Sequence, residues 1–113
     1  MRIGGNVQGI IQVKTNKKNE YGERIPEWND ALTLTGFLDL SNGTSDFLNA
    51  DAKIQDSTHI FICDYVDLSK YRENTRMHVG NDYYTIQLID DPMGLREHLE
   101  IYLKYMEGVA ADG

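Results

Sequence analysis

Apolar and polar residues alternate with a period of two through most of this chain. That period predicts strands, because successive side chains on an extended backbone point to opposite faces. Ala31–Leu40 is the clearest case: Leu32, Leu34, Leu38 and Leu40 share one face with Gly36 among them, and Thr33, Thr35, Phe37 and Asp39 take the other. Gly36 in mid-strand predicts a bulge or a sharp bend of the kind small barrels use at corners. Val7–Lys14 predicts an earlier strand, with Ile11 and Val13 facing one way and Ile10 and Gln12 the other. Ser57–Tyr65 sets Thr58, Ile60 and Ile62 against His59, Phe61 and Cys63. Arg76–Val79, Asp82–Asp90 and Glu97–Met106 bring the count to about six. In Asp82–Asp90, Tyr84, Ile86 and Leu88 oppose Tyr83, Thr85, Gln87 and Ile89; in Glu97–Met106, Leu99, Ile101, Leu103 and Tyr105 oppose Glu100, Tyr102, Lys104 and Met106.

The connections carry recognisable turn chemistry. Asn16–Gly22 is polar and turn-rich, and Glu23–Asp30, which holds Pro26 and Trp28, is an extended lead-in rather than a helix. Gly80-Asn81 suits the positive φ values of a tight hairpin. Asp90–Leu95 supplies a second reversal from proline's fixed φ and glycine's freedom. Val66–Asn74 is a charged connector anchored by Tyr71. Ser41–Asp56 breaks the alternation. It is dominated by polar residues, although Phe47, Ala50 and Ile54 lie at spacings that suit one or two helical turns. So long a connection inside a compact domain is often functional. The tail, Gly108–Gly113, is expected to fray. These elements predict one domain over residues 1–113, mainly all-β, built as a small antiparallel barrel with a long loop at 41–56. Closure would remove the exposed edges such a sheet otherwise leaves.

Composition narrows the function classes. The chain has 113 residues, 41% of them hydrophobic, and a formal net charge of −7, which opposes general binding to a phosphate backbone. Lys14, Lys17, Lys18 and Arg24 form the one basic concentration, partly cancelled by Glu20 and Glu23. Cys63, the single cysteine, lies in an apolar run and has no partner for a disulfide or a zinc site. No apolar stretch approaches membrane-spanning length and Met1–Gly5 lacks the apolar core of a signal peptide, so the expectation is a chain used without export and without a membrane. His59, His78 and His98 each stand alone, and Asp90-Asp91 before Pro92 fits a solvated turn better than acid–base work. The expectation is therefore a protein with no catalytic residues, no metal and no cofactor. Seven tyrosines are many for this size. Tyr83 and Tyr102 fall opposite the better core faces, which makes them candidates for contact with a partner.

Several features occur in a telling order: Tyr21-Gly22 and Trp28 after the first strand, the alternation at Leu32–Leu40, and the polar excursion from Ser41. Arg76-Met77, Gly80, Tyr83-Tyr84 and Ile86 follow, then Asp90-Asp91-Pro92, Gly94-Leu95 and Glu97 with Leu99-Glu100-Ile101. In this the chain resembles, over roughly residues 7–107, the head-closure or head-completion (stopper) proteins of long-tailed bacteriophages. One departure is Asn81-Asp82, where many relatives carry a basic residue after the turn glycine. The resemblance implies a small barrel assembled as a ring, in relatives a dodecamer, in the virion neck between a portal-bound adaptor and the tail or tail-completion protein. It also implies a long loop that blocks the channel and retains packaged duplex DNA. On this sequence the gate falls on Asn42, Gly43, Thr44, Ser45, Asp46, Phe47, Leu48, Asn49, Asp51 and Lys53, and the subunit or partner interface on Trp28, Arg76, Tyr83 and Tyr102. Assembly would take place in the host cytoplasm. Two other readings stand beside it: a tail-completion or adaptor protein with no gate, and an oligonucleotide-binding barrel whose aromatics stack bases, which the acidic balance opposes.

Overall fold

The computed structural model describes Gly5, residues 7–41 and residues 56–108. Six strands run β1 Val7–Lys18, β2 Arg24–Leu40, β3 His59–Asp64, β4 Thr75–Val79, β5 Asp82–Asp90 and β6 His98–Tyr105. All pairings are antiparallel, and the sheet closes on itself in the order β1-β2-β3-β6-β5-β4. The alternation read from the sequence places the core. Ile11, Leu34, Phe61, Met77, Tyr84, Leu99, Ile101 and Leu103 point inward and are buried. Tyr71 does pack against this cluster, and Leu68, in the same connector, joins it at 5% exposure. Cys63 is a buried wall residue; desolvation, then the charge of Asp64, pushes its thiol up to about 11, so it stays protonated and unreactive at neutral pH.

The first two strands are longer than the alternation predicts. β1 extends through Lys18, and the lead-in at Glu23–Asp30 is itself strand from Arg24 onward, in continuous register from Asn29 opposite Val13 to Arg24 opposite Lys18. β1 pairs with β4 only over Gly9–Val13, and β2 pairs with β3 only over Gly36–Leu40. Beyond Lys14 the two strands therefore pair with each other alone, as a ribbon extending past the barrel. Both faces of such a ribbon meet water, so it shows no apolar alternation to betray it. Pro26 is tolerated because this part of β2 has a ladder on one side only. The tip is held by Asn19, whose Oδ1 accepts from the backbone N–H groups of Tyr21 and Glu23 at 2.9 Å each.

Three further differences follow from register. Gly36 is not a bulge. It is the residue where β2 changes partner, opposite Val7 on β1 and Cys63 on β3. The bulges lie elsewhere, one between Ile11 and Gln12, which leaves Ala31 unpaired, and one between Ile86 and Leu88, which leaves Gln87 unpaired. The second shifts the alternation by one, so that Ile89 packs on the core and Leu88 faces out. Leu40, on the leucine face, is 75% exposed because β2 runs out to the barrel's rim. At the β4–β5 hairpin only Gly80 takes a positive φ, +61°, which matches a turn with its glycine at the first central position.

Candidate interface on the outer face of the barrel

Residues that alternate with the core positions form an outer face, and on β4 the outward residue is Arg76. It is 2% exposed, although its neighbour Met77 fills the interior. An isolated buried guanidinium is costly, so its partners matter. Nε donates to Gln12 Oε1 at 2.7 Å, and Gln12 Nε2 donates to Asp30 Oδ1 at 2.8 Å. The guanidinium carbon lies 4.2 Å from the ring centre of Trp28 and 4.2 Å from that of Tyr83. Tyr83 in turn stacks on His78 at 4.3 Å with an interplanar angle of 8°. Nη2 makes no hydrogen bond among the described residues and lies within this aromatic enclosure. Desolvation lowers the Arg76 pKa, yet an arginine so placed stays charged at any ordinary pH.

The bulge at Ala31 makes this arrangement possible. Gln12 sits opposite both Arg76 on β4 and Asp30 on β2. In unbroken register it would face Ala31, and the relay from β2 through β1 to β4 would lack its carboxylate. Three residues singled out in the sequence, Trp28, Arg76 and Tyr83, thus form one unit. Arg76 and Tyr83 are buried at 2% and 3% exposure, so they act from beneath the surface and hold Trp28 at the root of the ribbon. Gln12 and Asp30 were missed because the fault in register that joins them leaves no sequence signal.

Tyr102 lies elsewhere, half-buried on the outer face of β6. Its hydroxyl donates to Glu100 Oε1 at 3.1 Å, and His98 Nε2 is 3.0 Å from Glu100 Oε2. Burial and the Glu100 charge push the Tyr102 phenol up to about 12. Across the ladder Glu100 is directly opposite Asp90. Burial, then Glu100, then Asp91 raise the Asp90 pKa, with His98 acting against them. A carboxyl whose folded pKa exceeds its unfolded one binds its proton more tightly when folded, so its contribution to stability falls as pH rises through that window. Asp90→Asn is therefore expected to raise stability near neutral pH by about 0.5 kcal/mol, the scale of an opposed like-charge pair, and to lose that advantage as pH falls below the ordinary aspartate range, near pH 3. Urea midpoints at the two pH values check this.

The predicted gate residues Asn42 to Lys53 lie outside the described residues. The residues that flank that segment are tied to the barrel. Ser41 and Ser57 hydroxyls are 2.9 Å apart, Ser41 N–H donates to Thr58 O at 2.9 Å, and Lys104 Nζ lies 3.0 Å from Asp56 Oδ2. The chain leaves and re-enters the barrel at one place, where β2, β3 and β6 meet.

Among the described residues no group of His, Cys, Asp or Glu is arranged to hold a metal ion, and no helix is long and apolar enough to cross a membrane. The family model for phage head completion proteins matches residues 6–104, the barrel up to, but not including, the last residue of β6. The chain belongs to the phage head completion protein family. No curated protein matches its sequence. Family membership makes it a structural protein of the phage particle, acting with other head and tail proteins in the neck.

Proposed function

We propose that this head completion protein joins head to tail as a ring of identical subunits and closes the channel against loss of packaged DNA, with residues 41–56 as the gate. The observation that carries this reading is the pinned stem: Ser41 and Ser57–Thr58, which flank residues 42–55, are hydrogen-bonded to each other at one rim of the barrel. Its acids, Asp46, Asp51 and Asp56 against Lys53 alone, disfavour adhesion to phosphate, so duplex DNA could slide past once the gate opens. Phe47 and Leu48 would supply apolar contacts between neighbouring loops. The adaptor on the portal side and the tail or tail-completion protein on the other are the partners this arrangement implies.

Deleting Thr44–Lys53 keeps the Ser41–Ser57 stem and tests the gate. Heads completed with the deleted protein are expected to lose DNA while tails still attach, read as the length of DNA retained. Full retention would leave a joining role without a gate.

A further inference from the structure

We propose that copies of this chain associate head to tail, the cationic face of one ribbon, bearing Lys14, Lys18 and Arg24, docking on the acidic outer face at Asp90 and Glu100 of the next copy. This rests on the ring reading above and names its contact. Directly opposed residues in an antiparallel pair project to the same side. The register sets Lys14 opposite Trp28, Asn16 opposite Pro26 and Lys18 opposite Arg24. One ribbon face therefore carries those cations and no acid, in a chain of net charge −7. Glu27 lies on the other face, opposite Thr15, and Glu20 and Glu23 sit at the turn.

The receiving face has the complementary character. Asp90 and Glu100 oppose each other directly, a pairing that costs stability; Glu100 is already engaged by His98 and Tyr102, so a cation from outside meets the pair at Asp90. Ile62 lies across from Glu100 and Phe37 across from Ile62, with Leu88 across from Tyr102, so an apolar stripe borders the acids. Phe37 is 45% exposed. At the ribbon tip Tyr21, 79% exposed, gives apolar area to bury in return.

Placement argues for a second copy. In the strand order β1-β2-β3-β6-β5-β4, β6 is three steps from β1 in either direction, so the two faces lie on opposite sides of the barrel. One molecule cannot satisfy both within itself, and like subunits joined through opposite sides make a heterologous contact that closes into a ring when the rotation allows. A two-stranded ribbon is also marginal alone and gains from a surface to lie on.

The test mixes full-length Lys18→Cys and Asp90→Cys proteins under oxidising conditions at low ionic strength, where charge screening extends to about 30 Å. Cys63 is buried and does not compete. The expected product is the mixed cross-linked dimer. Lys14→Glu with Arg24→Glu in the Lys18→Cys protein should cut its yield roughly tenfold. In proteins without introduced cysteines, Lys14→Glu/Lys18→Glu/Arg24→Glu should abolish self-association measured by sedimentation, and mixing it with Asp90→Lys/Glu100→Lys should restore it. All these ribbon positions are exposed, so far-ultraviolet circular dichroism should report an unchanged fold. Absence of the mixed dimer overturns the inference. Rings seen by electron microscopy without that cross-link would overturn this contact while leaving the neck role standing. Loss of duplex DNA binding, rather than of self-association, in the reversed ribbon would likewise overturn it.

Discussion

Arg76→Ala is expected to lower the unfolding free energy by about 3 kcal/mol. The substitution removes a hydrogen bond from a charged donor to Gln12 and two aromatic contacts to Trp28 and Tyr83. Desolvated contacts of the second kind contribute about 1–2 kcal/mol each, and the relief of no longer burying a charge offsets part of the sum. The loss also strands the Gln12 carbonyl in a buried site. Arg76→Lys should recover little, because an ammonium is a point charge and cannot lie flat between two rings. Urea unfolding followed by the emission of Trp28, the single tryptophan, measures both effects. The emission of the folded Arg76→Ala protein should itself shift to the red as the ring loses its lid over the barrel. A change in stability below about 0.5 kcal/mol for the alanine variant would mean that the sandwich holds nothing in place.

Gly36→Ala should be at least as damaging, for a reason that has nothing to do with turns. A Cβ at this position would run into the carbonyl oxygen of Ile62 and lie 3.0 Å from the Cβ of Cys63. The obstacle is backbone, so no rotamer change relieves it. β2 leaves β1 for β3 at this point, and the added methyl would force those strands apart where the barrel closes. We expect a loss of about 3 kcal/mol or failure to form the closed sheet, the upper range for overpacking a rigid core. Gly80→Ala serves as the contrast: nothing lies within reach of its Cβ, and only the positive φ of +61° is strained, so about 1 kcal/mol is expected. Parallel thermal melts would separate the two. If Gly36→Ala melted with the parent protein, the corner would be looser than its geometry implies.

Both predictions concern residues visible in the sequence whose importance arises from neighbours that were not. Gly36 stood out within a run of leucines and suggested a bend. The true reason, contact with a strand more than twenty residues away, depended on where β2 changes partner. Trp28, Arg76 and Tyr83 were marked as interface residues, and the structure gathers them around one guanidinium. Tyr102 was marked with them but lies on β6, bound to Glu100 in a separate acidic cluster. The ribbon escaped notice because its sequence is polar on both faces, which is how a solvated pair of strands and a loop look alike.

Local pattern determined the strands that line the core, the turn at Gly80-Asn81 and the inward set from Phe61 to Leu103, since a period of two needs no knowledge of distant partners. Register, and with it the exterior chemistry, was decided by closure of the barrel. An unpaired Ala31 or Gln87 moves every later side chain to the opposite face, and whether such a slip occurs depends on strands that meet only when the chain has folded. Hence Asp30 reaches Gln12, Ile89 turns inward, and a basic face and an acidic face come to lie on opposite sides of one small protein.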